Sequence, residues 1–176
     1  MQVKIRKALA SDINAVNGIY EHIHNEQEKG IINIGWVRGV YPTRATAESA
    51  LQRGDLFVEE ANGIIVGAAI INQIQLDVYK KVAWQCELPN EKIMVLHTLV
   101  TEPDSKGSGF GKAFVEYYEQ YAAKHGCVGL RIDTNELNTY ARGFYKRLNY
   151  SEVGIFSCTF NGISDAKLVM LEKTLD

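Results

Sequence analysis

The sequence predicts an α+β fold, a mixed central sheet flanked by helices with the element order β-α-α-β-β-β-α-β-α-β-β. Some segments alternate apolar and polar residues with the period of a half-buried strand, while others repeat apolar residues at helical spacing. Turn residues such as Ala61-Asn62 and Asn161-Gly162 join neighbouring strand segments as hairpins. Helical segments separate the other strands, so hairpins and crossovers are expected in one sheet.

The first half of the chain is expected to supply three strands and two helices. Apolar and basic residues alternate from Val3 to Lys7, which indicates the first strand. Ser11-Asp12 offers a cap to the helix that follows, and Gly30 and Gly54 are of the type that ends helices. We therefore expect a strand at 3–8, helices at 13–30 and 43–53, and paired strands at 55–60 and 63–72.

The second half begins with a strongly apolar run of strand length at 93–101, interrupted only by His97 and Thr98. The clearest helix follows at 110–126, where Phe110, Phe114 and Tyr118 fall on one face. The remaining elements are a strand at 128–134, a helix beginning at 138, and hairpin strands at 152–160 and 167–171. Residues 73–90 carry no periodic pattern, and the sequence assigns them no structure.

Length and composition fit one domain, residues 1–176, with a single core. Hydrophobic residues make up 46% of the chain and charged residues 23%, as in ordinary globular proteins. The formal net charge of −2, from 19 basic and 21 acidic side chains, provides no excess positive field, so nucleic acid is not an expected partner.

Targeting signals and metal ligands are not evident. The first residues lack the apolar stretch of a signal peptide, and no run approaches the roughly 20 apolar residues that cross a bilayer. We therefore expect a cytoplasmic protein that does not bind membranes. Cys86, Cys127 and Cys158 are widely spaced without a CxxC pair, so neither a disulfide scaffold nor a metal site is expected.

A glycine-rich segment, Lys106-Gly107-Ser108-Gly109-Phe110-Gly111-Lys112, lies between the apolar strand and the clearest helix. Exposed amides at a helix N-terminus bind phosphate, and glycine lets the phosphate approach the main chain. A Walker loop would need GxxxxGK[ST], and a dinucleotide loop would need glycine at position 112. Asp133, about 20 residues further on, leaves a nicotinamide-dependent oxidoreductase open, although the chain after the loop is short for that fold.

The segment from Leu99 to Gly111 resembles the cofactor motif of the GNAT N-acetyltransferase superfamily. A second block, Asn138 to Tyr145, resembles the family's downstream helix, where an asparagine opens the helix and a tyrosine faces the cofactor sulfur. The order of elements also fits a GNAT-like fold. Lys106 departs from the family's glutamine or arginine at the first motif position and loses bidentate geometry.

The resemblance implies acetyl-CoA as co-substrate and assigns roles to the motif residues. The main chain of Leu99, Val100 and Thr101 would bind the pantetheine arm and the thioester. The loop from Lys106 to Lys112 would hold the diphosphate, and Asn138 would bind the pantetheine portion. Tyr145 would be the general acid that protonates the leaving thiolate. Main-chain N–H groups around 97–99 would stabilise the oxyanion.

The incoming amine must lose a proton, and His97 is the leading candidate to accept it because its ordinary pKa is near neutrality. Glu91, Glu59, Glu60 and a chain of waters are the alternatives. Aromatic and amide side chains before the cofactor strand are candidates for the acceptor pocket and suit a small polar amine. They are Trp36, Tyr41, Asn72, Gln73, Gln75, Tyr79 and Trp84.

The sequence thus predicts an N-acetyltransferase that moves an acetyl group from acetyl-CoA to a primary amine of a small molecule or peptide, by direct attack on the thioester. The alternative is a non-catalytic acyl-CoA-binding or sensing domain. The sequence is compatible with a homodimer but does not fix the oligomeric state.

Overall fold

The computed structural model describes residues 3–175. Four helices and seven strands occur in the predicted order. The strands are β1 (Val3–Lys7), β2 (Leu56–Ala61), β3 (Ile64–Asn72), β4 (Ile93–Thr101), β5 (Gly129–Asn135), β6 (Ser151–Phe160) and β7 (Ile163–Thr174). The helices are α1 (Ile13–Glu28), α2 (Arg44–Arg53), α3 (Phe110–Lys124) and α4 (Thr139–Arg147).

The seven strands form one sheet in the order β1-β2-β3-β4-β5-β7-β6. All neighbours are antiparallel except β4 and β5, which are parallel and divide the sheet into two antiparallel halves. Within residues 3–175, β4 and β5 share four strand pairs, from Ile93↔Gly129 to Leu96↔Ile132. Beyond Leu96 the two strands separate, and a cleft opens in the sheet.

Strand β4 contains a bulge beside this cleft. His97 pairs with Ile70 and Val100 pairs with Ala68, so two residues of β4 face one residue of β3. Thr98, inside the bulge, has a φ of 51°. That conformation is unfavourable for a β-branched residue, so the surrounding contacts must hold it in place.

The helices cover both faces of the sheet and bury one core on each. On one face, Phe114 and Tyr118 of α3 pack against Met94 and Leu130. On the other face, α1 and α2 cover β2 and β3 with a separate cluster that includes Tyr20. Apolar packing on the two faces therefore fixes where α3 and α4 meet the cleft.

Residues 73–90, which the sequence left unassigned, pass over the sheet on the α1 face. They contain a short 3-10 turn at Asp77–Lys81, and a second one follows at Asn90–Lys92. Val78, Tyr79 and Val82 pack onto Ile93 and Met170 as a third apolar cluster. Within residues 3–175, no helix combines the length and apolar character that a membrane span requires.

Candidate active site

A cavity of about 620 Å³ occupies the cleft between β4 and β5. Its walls come from the end of β4, the glycine-rich loop, the first turn of α3, the end of β5, and α4. Three aromatic side chains, Trp36, Tyr41 and Phe160, line the side that faces α1. This volume is in the range of ordinary small-molecule sites.

The glycine-rich loop presents backbone N–H groups at the start of α3. Gly107 and Gly109 have φ values of 87° and 84°, and a Cβ at either residue would meet no atom within 4 Å. Backbone conformation, rather than crowding by the protein, therefore requires glycine there. The first helical bond runs from Ala113 N–H to Gly109 O at 3.0 Å, so the amides of the first turn have no acceptor in the helix.

Most of the strand and loop residues predicted to bind the cofactor line this cavity. They are Leu99, Val100, Thr101, Lys106, Gly107, Gly109, Phe110, Gly111 and Lys112. Ser108 is not among the lining residues, and its N–H bonds Ser105 O at 3.0 Å. The Lys106 ammonium lies 4.9 Å from the ring centre of Tyr140, and Lys112 makes a 3.5 Å ion pair with Glu116 on the surface.

Asn138 and Tyr145 meet the cavity from α4. Asn138 caps the helix, because its Oδ1 accepts the Ala141 N–H at 3.1 Å. Tyr145 is buried, and burial together with the charge of Asp133 raises the pKa of its phenol. Both effects favour the protonated phenol, so Tyr145 has a proton to donate at neutral pH. No residue of the described chain hydrogen-bonds its hydroxyl.

The structure does not bring His97 into this cavity. Its Nε2 lies 3.0 Å from Ile74 O and 3.2 Å from Asn72 Oδ1, and two acceptors at one nitrogen indicate that this nitrogen carries the proton. Burial lowers the pKa of His97, so the ring is neutral. Its role as proton acceptor stays a prediction.

Two of the predicted acceptor-side residues, Trp36 and Tyr41, are part of the cavity wall. Their rings contact edge to face at 5.9 Å, and Tyr41 makes the same kind of contact with Phe160 at 5.0 Å. The Tyr41 hydroxyl also hydrogen-bonds Thr98 Oγ1 in the bulge. These contacts form a continuous aromatic wall opposite α4.

The other predicted acceptor-side residues lie elsewhere. Gln73, Gln75, Tyr79 and Trp84 line a second cavity of about 670 Å³ under residues 73–90. Asn72 lies at the end of β3, where its amide nitrogen donates to Asp55 at 2.9 Å and its oxygen accepts the Ile74 N–H at 2.8 Å. These side chains are not grouped with Trp36 and Tyr41.

The sequence did not identify three residues that shape the site. Asp133 lines the cavity just beyond the last β4–β5 pair, although the sequence suggested it only as a ribose-binding acid. Phe160 completes the aromatic wall from β6. Gln27 of α1 holds the Trp36 loop, since its Nε2 donates to Trp36 O at 2.6 Å and its Oε1 accepts the Ile34 N–H at 3.1 Å.

One group of residues, which includes the cavity-lining Glu102, has the composition of metal ligands. The ligand atoms of His22, Glu102 and Asp104 lie within 4.8 Å of one another, and His22 Nδ1 hydrogen-bonds Glu102. Exposed acidic groups of this kind also occur without an ion. The prediction that no metal is involved stays a prediction.

A family model described as Acetyltransferase (GNAT) family matches residues 20–150. Peptidyl-lysine N-acetyltransferase YjaB of Salmonella typhimurium is 37% identical over 59 residues, which are 34% of this chain and 37% of that protein. The match therefore spans about a third of that relative's length.

Solved structures share the fold over nearly the whole chain. A GNAT-family acetyltransferase of Streptococcus agalactiae has a TM-score of 0.76 and 17% identity, with 99% of this chain and 96% of that chain covered. The ribosomal-protein-S18-alanine N-acetyltransferase of Escherichia coli has a TM-score of 0.67 and 17% identity, with 98% and 94% covered. These similarities establish the fold that the sequence predicted.

Proposed function

Because the chain belongs to the GNAT acetyltransferase family, we propose that it transfers the acetyl group of acetyl-CoA to a primary amine of a small molecule or peptide by direct attack on the thioester. One observation carries the proposal. The first-turn amides of α3, which have no acceptor within the helix, border the same cavity as the end of β4 and Tyr145. A diphosphate at one end and a thioester at the other would span it.

The diphosphate of the coenzyme would bind the first-turn amides of α3, where the helix dipole also favours negative charge. Lys106 and Lys112 would add positive charge at the same place. The pantetheine arm would run along Leu99 to Thr101. This part of β4 has no partner in β5, because pairing between the two strands ends at Leu96↔Ile132. Asn138 still has its amide nitrogen for this arm, because only its oxygen caps α4.

Attack on the thioester places negative charge on oxygen and then on sulfur. Main-chain N–H groups at the β4 bulge would stabilise the oxyanion, an effect typically worth about 3 kcal/mol. Tyr145 would protonate the departing thiolate, since burial keeps its phenol protonated. The chemistry therefore needs no group beyond those that border the cavity and a proton acceptor for the amine.

The names of the similar proteins include both a lysine and an alanine amine as acceptors. Peptide amines therefore remain in the proposed range beside small molecules. We expect the reaction to take place in the cytoplasm.

Thiol release from acetyl-CoA, followed across amino acids, polyamines, aminoglycosides and peptides, tests the proposal. We expect at least one class to give amine-dependent release, and titration calorimetry to detect acetyl-CoA but no nicotinamide dinucleotide. Binding of the dinucleotide in place of acetyl-CoA would favour an oxidoreductase and reject the proposal.

Tyr145→Phe separates the enzyme from a non-catalytic acyl-CoA-binding domain. Transfer should slow by about 100-fold, the lower end of general-acid contributions, while acetyl-CoA affinity changes little. Tyr117→Phe on α3 is the matched control, because Tyr117 packs against Phe57 outside the cavity. Unchanged turnover in Tyr145→Phe would reject the general-acid role.

A further inference from the structure

We propose that Asp133, oriented by Tyr79, binds the acceptor amine as an ammonium ion and then accepts a proton from it. The inference rests on the proposed function of the same cavity. It implies that the acceptor is a primary amine that is positively charged in solution and carries an apolar group next to the charge.

The position of Asp133 follows from the topology of the sheet. Ile132 makes the last pair between β5 and β4, so Asp133 is the first residue of β5 in the cleft. It lines the cavity together with Thr98, Tyr41 and Tyr145. The carboxylate therefore shares one cavity with the β4 bulge, where the carbonyl would sit, and with the aromatic wall.

Tyr79 fixes one oxygen of this carboxylate. Its hydroxyl donates to Asp133 Oδ2 at 2.7 Å. The tyrosine is itself buried and held, since the Trp84 indole packs on it at 5.2 Å and donates Nε1–H to Tyr79 O at 3.1 Å. No residue of the part of the chain that the structure describes hydrogen-bonds Oδ1, which leaves that oxygen for a ligand.

Among residues 3–175, no group that faces Asp133 is a cation near neutral pH. The titratable groups that face it are His97 on β4, Tyr79, Tyr41, Tyr145 and the Cys158 thiol on β6. Each is uncharged near neutral pH. Burial raises the pKa of the Asp133 carboxyl. The charge of His97, present only when that ring is protonated, and the Tyr79 hydrogen bond oppose that rise.

An unpaired carboxylate in a low-dielectric site is costly, and an ammonium ion entering the cavity would remove that cost. The rings of Tyr41, Phe160 and Trp36 would add the attraction between a cation and aromatic faces. They would also pack against an apolar group attached to the amine. Charge and shape together therefore favour an alkylammonium over a neutral acceptor.

The proton balance of the transfer is complete with these residues. The ammonium gives one proton to Asp133 Oδ1, the neutral nitrogen forms the C–N bond, and the C–S bond breaks. Tyr145 protonates the thiolate and regains its proton from the nitrogen that has attacked. Asp133 releases its proton to solvent, and the third proton stays on the amide product.

Asp133→Asn tests the inference, because it keeps the shape and removes the charge. With the best amine of the thiol-release screen, we expect kcat/KM to fall by at least about 100-fold and acetyl-CoA affinity to stay within about twofold. The same comparison is made with the β,β-difluoro analogue of that amine, which is nearly the same size but mostly uncharged at assay pH. With this analogue, Asp133→Asn should lower kcat/KM far less. Asp55→Asn is the control, since Asp55 is buried away from the cavity.

Tyr79→Phe provides a second readout that a purely structural role would not give. Loss of the donor to Oδ2 removes stabilisation of the charged carboxylate, so the acidic limb of the kcat/KM profile should move to higher pH. Tyr117→Phe, which removes a hydroxyl outside the cavity, should not move that limb.

Equal turnover of Asp133→Asn and the unsubstituted protein would overturn the inference. Equal loss with both amines would also overturn it, because a misfolded cavity would slow both alike. Failure of the unsubstituted protein with every amine would instead reject the proposed function, so the two results are distinct.

Discussion

Glu59 is buried on β2 with both carboxyl oxygens lacking a hydrogen-bond partner among residues 3–175. Burial raises its pKa to about 7. Below the ordinary pKa of glutamate, the side chain is protonated in both the folded and the unfolded chain. Its contribution to the free energy of unfolding then does not depend on pH. Above about 7 the folded chain must hold a buried charge, so its stability falls as the pH rises between these values.

Glu59→Gln should remove this pH dependence. We expect its free energy of unfolding, relative to the unsubstituted protein, to rise by up to about 3 kcal/mol between pH 4.5 and pH 8. Urea unfolding at a series of pH values measures the difference. Glu60→Gln is the control, because Glu60 is partly exposed and pairs with Arg6 at 2.9 Å. Parallel stability profiles for Glu59→Gln and the unsubstituted protein would contradict the prediction.

The residue scale also shows where sequence reasoning stops. The sequence predicted the phosphate-binding role of Gly107 and Gly109 because glycine at this spacing matches a loop that needs positive φ. The sequence could not predict Asp133 as an acceptor-binding residue. Asp133 lies within a strand, and whether it borders the cavity depends on where β4 and β5 separate. That point is set by pairing between residues about 35 positions apart, which no local pattern records.

Among the elements, α1 controls the acceptor side of the cavity through Gln27. Its amide makes three hydrogen bonds to the main chain of residues 34–36, to Ile34 N–H and to both N–H and C=O of Trp36. Trp36 belongs to the aromatic wall, so its position depends on a helix residue nine positions earlier.

Gln27→Leu should release this loop without changing side-chain size greatly. A typical net hydrogen bond contributes about 1 kcal/mol, so amide exchange at Ile34 and Trp36 should accelerate by about fivefold or more. The KM of the acceptor should rise more than that of acetyl-CoA. Gln52→Leu on the exposed side of α2 is the control, and unchanged exchange in the Gln27 variant would contradict the role.

The predicted elements agree with the structure where periodicity was strong. Strand β4 occupies Ile93–Thr101 as expected, and α3 begins at Phe110, within the glycine-rich segment. Residues 73–90 escaped prediction because short 3-10 turns have no amphipathic repeat, and their packing depends on a sheet face built from distant strands. Tyr79 and Trp84 of this segment line the second cavity, and the Tyr79 hydroxyl reaches Asp133 in the first.

For the whole molecule, the cavity lies where the two half-sheets separate, so a ligand there contacts both halves. Acetyl-CoA at about 100 times its dissociation constant should stabilise the fold by about 2.7 kcal/mol, a rise in Tm of about 5–10 °C for a chain of this size. A thermal melt with and without ligand measures it. The Gly109→Val protein should lose most of this rise in Tm. Valine is strained at the φ of 84° that Gly109 adopts, so the loop proposed to bind the diphosphate would change shape. A shift with a nicotinamide dinucleotide instead would contradict the proposal.

The short junction between β4 and β5 also bears on which acyl groups the protein can accept. Because pairing already ends at Leu96↔Ile132, a chain longer than acetyl would enter the cleft without breaking any backbone hydrogen bond of the sheet. Its entry would instead displace the side chains that fill the cleft, such as Leu96 and Leu168. Preference for propionyl or longer thioesters should therefore depend on side-chain volume, which one or two substitutions can change.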